Sequence, residues 1–201
     1  LTWEAFNIIG TIAFAVSGAL VAMEEDYDIL GVVVLGLVTA FGGGIIRNLL
    51  IGVPVDSIWQ QGLLLKTALV AMGIVFLLPS GVIQHSKKWL NLFDAIGLSA
   101  FAIQGALFAS KMGHPLSAVV VAAMMTGIGG GIIRDVLAGR KPVVLRDEIY
   151  AVWAMAGGLI VGLGAADEPL ELYSLFAGIV IMRILSLKYK WKLPHRAIRP
   201  S

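Results

Sequence analysis

One six-residue stretch occurs twice in this chain. Gly42-Gly43-Gly44-Ile45-Ile46-Arg47 returns without a gap as Gly129-Gly130-Gly131-Ile132-Ile133-Arg134. The flanking matches keep the same offset. Gly10, Ala13, Phe14, Ala15, Gly18, Ala19, Leu20 and Ala22 fall on Gly97, Ala100, Phe101, Ala102, Gly105, Ala106, Leu107 and Ala109. Val32-Val33-Val34 falls on Val119-Val120-Val121, Thr39 on Thr126, and Leu50 and Gly52 on Leu137 and Gly139. Shared apolar composition produces scattered matches, but not a gapless hexapeptide framed by matches at one offset. The chain is therefore an internal duplication, and its fold has to pack two copies of one unit against each other.

The unit is a membrane unit. Apolar residues make up 58% of the 201 residues and charged residues 14%, against about 45–50% and about 25% in soluble domains; the mean hydropathy is +0.89. Too few charged side chains remain to cover a water-facing surface. A spanning helix needs roughly 20 mostly apolar residues. Seven segments qualify: Trp3 to Met23, Ile29 to Ile51, Ile58 to Leu78, Trp89 to Ala109, Pro115 to Leu137, Glu148 to Ala165 and Leu170 to Leu187. The expected class is an all-α integral membrane protein, a single membrane domain over residues 1–201. Its repeats run over about residues 3–78 and 89–165, followed by a seventh helix at 170–187 and a basic tail at 188–201. The first span lacks a basic leader region and a small-residue cleavage site, so it reads as a membrane helix and not a signal peptide. Five tryptophans, Trp3, Trp59, Trp89, Trp153 and Trp191, lie near span ends, as an aromatic belt requires.

Three spans per copy is an odd number, so the second copy enters the membrane from the opposite side. The expectation is an inverted-topology repeat with a pseudo-two-fold axis in the membrane plane, an architecture of transporters and some channels. Loop charges give the orientation. Lys87 and Lys88, then Arg140, Lys141 and Arg146, then Lys188, Lys190, Lys192, Arg196 and Arg199 all lie on one side. The other side holds Lys111 and the Asp167-Glu168 turn. The positive-inside rule places the N-terminus outside and the C-terminus in the cytoplasm. The acidic Glu24–Asp28 loop then faces the cytoplasm too, and acidic residues weigh little in the rule. The basic tail is a topological anchor, with anionic lipid as the sharper alternative partner. The net charge of +2 bears on topology and gives no basis for nucleic-acid binding.

The two glycine triplets lie inside spans two and five. Each glycine costs a helix roughly 1 kcal/mol relative to alanine, so three in a row are expected to kink or break the helix and expose backbone groups to a cavity. The alternative is close helix packing. The GxxxG pairs Gly127–Gly131 and Gly158–Gly162 carry that bland meaning. No Gly-Lys-Ser/Thr follows either triplet, which excludes a nucleotide loop.

Arg47 and Arg134 follow the triplets, each with a polar neighbour, Asn48 or Asp135. A charge within a span is a functional candidate by default; snorkelling to the headgroups is the alternative. Neighbours at i and i+1 do not share a helix face, so a crossed pair such as Asp135 with Arg47 is expected in place of Arg134–Asp135. Lys66, in span three, and Asp94, in span four, are weaker candidates with snorkelling or interfacial alternatives. Asn7, Ser17, Thr39, Gln104 and Thr126 either line a polar path or bond between helices. Arg183, late in span seven, is expected to snorkel. The absence of cysteine excludes thiolate chemistry. His85, His114 and His195 are scattered without metal-ligand spacing, and no nucleophile with a partner base is present. Neither a metal, a cofactor nor an enzyme activity is expected.

The duplicated Gly-Gly-Gly-Ile-Ile-Arg stretches and the seventh helix resemble the bacterial and archaeal relatives of the trimeric intracellular cation (TRIC) channels, long catalogued as a membrane family with a "glycine transporter" domain label. The resemblance covers essentially the whole chain. Gly129 to Asp135 is closest to the family pattern, and in the first copy Asn48 replaces the acidic residue. The resemblance implies a homotrimer in a bacterial or archaeal cell membrane, with a pore in each protomer among spans one, two, four and five. It implies permeation of monovalent cations, potassium ahead of sodium. It makes Gly42, Gly43, Gly44, Arg47, Asn48, Gly129, Gly130, Gly131, Arg134 and Asp135 candidate pore or gate residues. A secondary transporter of a small amino acid or zwitterion is the alternative, since inverted repeats and broken helices fit it equally. A non-conducting structural protein gives no reason to duplicate the arginines.

Overall fold

The computed structural model describes residues 2–79, 86–145 and 149–194. Seven α-helices lie among them: α1 (Thr2–Glu24), α2 (Ile29–Ile51), α3 (Gly62–Phe76), α4 (Ser86–Lys111), α5 (Leu116–Leu137), α6 (Ala151–Gly162) and α7 (Pro169–Lys188). Short 3-10 turns, Val55–Gln60 and Val143–Leu145, precede α3 and α6. His85, Arg146, Glu148, His195, Arg196 and Arg199 lie outside the described residues.

Local chemistry explains the helix ends. The Asp28 carboxylate accepts from the Gly31 amide at 2.8 Å and caps α2. Gly52 ends α2 at φ 74°, and Gly139, its repeat equivalent, follows α5 at φ 70°. Pro169 opens α7, where the Glu171 carboxylate accepts from the Asp167 and Glu168 amides.

Five helices, α1, α2, α4, α5 and α7, are long and apolar enough to cross a membrane. The third and sixth expected spans are shorter than the sequence suggests. α3 has 15 residues and α6 has 12, about 22 Å and 18 Å at 1.5 Å per residue, against a hydrocarbon thickness of about 30 Å. For α3 most of the missing length lies on the N-terminal side, where the Val55–Gln60 turn takes the place of helix, whereas α6 falls short at both ends. Their outward faces remain apolar: Val70, Ile74 and Leu77 on or beside α3 are exposed, as are Met155 and Leu159 of α6, in keeping with a lipid-facing surface.

The expected break at the glycines does not occur. α2 and α5 run as unbroken helices through Gly42–Gly44 and Gly129–Gly131. The triplets serve close approach. A β-carbon on Gly43 would overlap the Thr126 carbonyl oxygen, and one on Gly130 would overlap that of Thr39. The backbones of α2 and α5 thus touch where they cross.

That contact is reciprocal, and so are the others around it. The Phe14 and Phe101 rings meet edge-to-face at 5.3 Å; Phe101 covers Gly10 and Phe14 covers Gly97. Gly18 of α1 rests on α2, where a β-carbon would lie 2.7 Å from the Leu35 oxygen. Gly105 of α4 rests on α5, with the Ala122 oxygen at the same distance. The Tyr27 hydroxyl donates to the Leu137 carbonyl oxygen at 3.1 Å, while His114 Nε2, at the position equivalent to Tyr27, lies 3.2 Å from the carbonyl oxygen of Ile51, one residue past the equivalent of Leu137. Residue i of one copy meets residue j of the other, and j meets i, which is the signature of a two-fold relation.

The core is built of small and aromatic side chains along α1 and α4, both largely buried between the other helices. The GxxxG reading of α6 holds: Gly158 admits Ala123, and Gly162 admits Leu116 and Val119 of α5.

Candidate functional site

Two arginine clusters flank the glycine crossing, one built on each copy. In the second copy, Arg134 is 3% exposed. Its Nη1 donates to Asp94 Oδ1 at 2.7 Å and to the Ser17 hydroxyl. Its Nε and Nη2 lie 2.9 and 2.8 Å from Asp135 Oδ1. The remaining carboxylate oxygens are held as well. Tyr150 donates to Asp94 Oδ2 at 2.5 Å, and the Val143 amide donates to Asp135 Oδ2 at 3.2 Å. One guanidinium therefore faces two carboxylates, and every strong acceptor has a donor, as a buried ionic network requires.

The first copy repeats this design without the acids. Arg47, 4% exposed, donates from Nε and Nη2 to Asn48 Oδ1 at 3.1 and 2.7 Å. Its Nη1 donates to Gln104 Oε1 at 2.5 Å. Gln104 in turn donates to Asn7 Oδ1 at 2.8 Å, and Asn48 donates to the Ser57 hydroxyl at 3.2 Å. The Arg47 guanidinium carbon lies 4.5 Å from the centre of the Phe108 ring. By the repeat offset, Asn48 stands for Asp135, Gln104 for Ser17 and Asn7 for Asp94. Both carboxylates have become amides.

The sequence expectations meet this geometry unevenly. Arg47, Asn48, Arg134, Asp135, Asp94, Ser17, Gln104 and Asn7 are all drawn into the clusters. Neither arginine snorkels, and Asp94 is buried and not interfacial. The crossed Asp135–Arg47 pair does not form. Arg134 bonds Asp135 directly, because a guanidinium on a long stem reaches sideways around the helix where short side chains at i and i+1 diverge. Thr39 and Thr126 are buried but donate to the Leu35 and Ala122 carbonyls of their own helices. Lys66 is on the exposed face of α3, away from both clusters. Gly44 and Gly131 lie beside the clusters, each with an arginine Nη2 within 4 Å of a notional β-carbon. Arg183 does not snorkel: it is 1% exposed, its guanidinium 4.4 Å from the centre of the Tyr150 ring.

Sequence reading missed Tyr150, Ser57 and Phe108. Each lies outside the matched motifs, and only the packing shows that it completes a cluster. It also missed a loop contact in which Arg140 binds Glu24 at 2.8 Å and Glu25 at 2.5 Å. Partial burial alone would lower the Arg140 pKa; the hydrogen bonds and charges of the two glutamates reverse this and hold it above its ordinary value. The pair joins the α1–α2 loop to the α5–α6 loop, which places both at one end of the bundle. Among the described residues no group of three or more His, Asp or Glu side chains is placed to hold a metal.

Comparison with known proteins agrees with the duplication. A family model described as "Glycine transporter" matches twice, over residues 4–80 and 91–166. The chain is 64% identical to the membrane protein YvgT of Bacillus subtilis over 99% of its own length and 98% of that protein's. It is 37% identical to the inner membrane protein YadS of Escherichia coli, over 96% and 95% of the two chains. A solved TRIC cation channel superposes with a TM-score of 0.85 at 37% identity, covering 100% of both chains. The TRIC orthologue from Rhodobacter sphaeroides gives 0.83 at 35% identity, over 93% of this chain and 97% of that one. With two copies of the family unit, near full-length relatives among membrane proteins and the same fold as prokaryotic TRIC channels, this chain is a multi-pass membrane protein of the UPF0126 family and a homologue of the TRIC channels.

Proposed function

We propose that the chain is a cation channel of the cell membrane, with a conduction path through each protomer and potassium preferred over sodium. Supporting this is the placement of two buried arginine clusters on either side of the α2–α5 glycine crossing, within a bundle whose outer surface is apolar. Polar groups at that depth are costly unless they line a path or hold a gate. The cavities support the same reading. One of about 30 Å³ borders Arg47, Asn48, Gln104, Asn7 and Gly44, and one of about 10 Å³ borders Arg134, Asp94, Asp135 and Gly131. We read the close approach of Gly43 and Gly130 as the constriction of such a path, with one cavity belonging to each repeat. In this reading opening requires α2 and α5 to part or bend at the triplets, and a carboxylate oxygen of Asp94 or Asp135 that exchanges its present donor for the ion replaces part of the ion's hydration.

The similarity to TRIC cation channels also favours a homotrimer. In this reading residues 1–201 form one membrane domain of two inverted three-helix repeats and a seventh helix, with a cytoplasmic C-terminus and lipid around the short helices α3 and α6. The test is a planar-bilayer recording of purified protein in asymmetric potassium and sodium salts. Unitary steps with a cation-selective reversal potential are expected. Saturable, stereoselective uptake of glycine or another small amino acid without unitary currents would replace the channel with the transporter reading.

A further inference from the structure

We propose that the cavity beside Arg47 is an anion site that takes one small monovalent ion of halide size, chloride in a cell. The two clusters share one arginine and one geometry but differ in charge. Arg134 has Asp94 and Asp135 against it. Arg47 has Asn48 and Gln104, with Asn7 behind them, all neutral. Among the described residues no carboxylate pairs with Arg47. The Phe108 ring face offsets part of the charge but brings no countercharge. A guanidinium stays ionised in a protein, so a buried one without a countercharge calls for an anion.

The space matches the missing charge. The cavity beside Arg47 is about 30 Å³, against about 10 Å³ beside Arg134. One ordered water needs roughly 10–15 Å³ on this measure. The Arg134 cavity is at that lower bound, as expected where the protein supplies its own carboxylates. The Arg47 cavity has room for about two waters on that measure, or for one small ion in their place; a nucleotide or sugar phosphate is far too large. Its lining adds donor-bearing side chains, Asn7, Thr11 and Gln61, to the guanidinium. The duplication thus carries two solutions for one buried arginine: built-in carboxylates in the second copy, and a mobile anion in the first.

The site is tested by chloride binding, which does not depend on conduction. Purified full-length protein in chloride-free gluconate buffer is titrated with chloride and followed by chlorine-35 NMR line broadening; a bromide-soaked crystal locates the ion by anomalous scattering. Saturable broadening and a bromide peak within hydrogen-bond distance of Arg47 are expected. Asn48→Asp installs the carboxylate that the second copy carries, so the variant should fold as the parent does while its binding falls at least tenfold. Arg47→Gln should also lose it. Absence of saturable binding in the parent, or equal binding in Asn48→Asp, overturns the proposal.

Discussion

Gly43 lies so close to Thr126 that a β-carbon would overlap the threonine's carbonyl oxygen, and Gly130 stands in the same relation to Thr39. Neither obstacle is a flexible side chain; both are helix backbone. Glycine is needed here for proximity. The three positions of each triplet therefore differ. A β-carbon on Gly42 would be crowded only by the Ile133 terminal methyl at 2.8 Å, with the Gly130 α-carbon in ordinary contact at 3.8 Å, and one on Gly44 would meet only an Arg47 nitrogen at 3.9 Å.

Alanine scanning of the triplets should reproduce that order. Gly43→Ala and Gly130→Ala force α2 and α5 apart and should cost about 1–3 kcal/mol, as overpacking does. Gly44→Ala should be neutral or stabilising by up to about 1 kcal/mol from helix propensity. Denaturant unfolding in detergent micelles measures the first effect, and single-channel recording adds a second: the middle-glycine variants should alter open probability more than the Gly44 variant. Equal effects at positions 43 and 44 would refute the proximity account.

The duplication, the helical class and most members of the two clusters were legible in the sequence, because a repeated motif marks position irrespective of packing. The continuity of the helices through the triplets was not, although close packing stood as the alternative to a break. Propensity counts the cost of Gly42–Gly44 within one helix, whereas the gain arises on the opposing helix at Thr126. The Arg134–Asp135 pair was missed for a related reason: a rule about Cβ direction does not describe a guanidinium several bonds away. Tyr150 joined the site only through tertiary packing onto Asp94. The shortness of α3 was hidden because the 3-10 turn that precedes it includes Ile58 and Trp59, and that of α6 because apolar Leu163 and Ala165 follow its last turn.

Asp94 is held on three sides, by Arg134, Ser17 and Tyr150. Its truncation to alanine leaves Arg134 with Asp135 as its one carboxylate and strands the Tyr150 hydroxyl. The expected cost is about 3–5 kcal/mol, as for breaking a buried pair. Asp94→Asn copies the Asn7 solution of the first repeat and should cost less, about 1–3 kcal/mol. Unfolding curves of the two variants check the order. An alanine variant as stable as the asparagine variant would show that Asp94 does not hold the cluster together.

The Arg140 pair with Glu24 and Glu25 is partly exposed, with side-chain exposure of 28% for the arginine. Arg140→Gln should therefore cost only about 0.2–1 kcal/mol, and high salt should shrink the difference. The sign of the pH dependence follows from the raised Arg140 pKa. Its contribution is fully present below the unfolded-state pKa and is lost only as pH rises through the higher folded-state value. Stability differences between parent and variant should accordingly show no change from loss of the Arg140 proton between pH 7 and 9.

The orientation is open to a direct test because the chain has no cysteine. Single cysteines at exposed Met112, in the α4–α5 turn, and at exposed Leu193, after α7, lie at opposite ends of the bundle in the proposed topology. Asp26, in the α1–α2 turn, is bound to the Leu193 side through its neighbours Glu24 and Glu25, which bond Arg140 in the α5–α6 loop. In intact cells a membrane-impermeant maleimide should label Met112→Cys and leave Asp26→Cys and Leu193→Cys unlabelled until the membrane is permeabilised. Labelling of positions 26 and 193 with protection of 112 would invert the orientation and keep the repeat. Labelling of 112 and 26 together would contradict the inverted repeat, because the two turns occupy equivalent positions in the two copies and have to face opposite sides of the membrane.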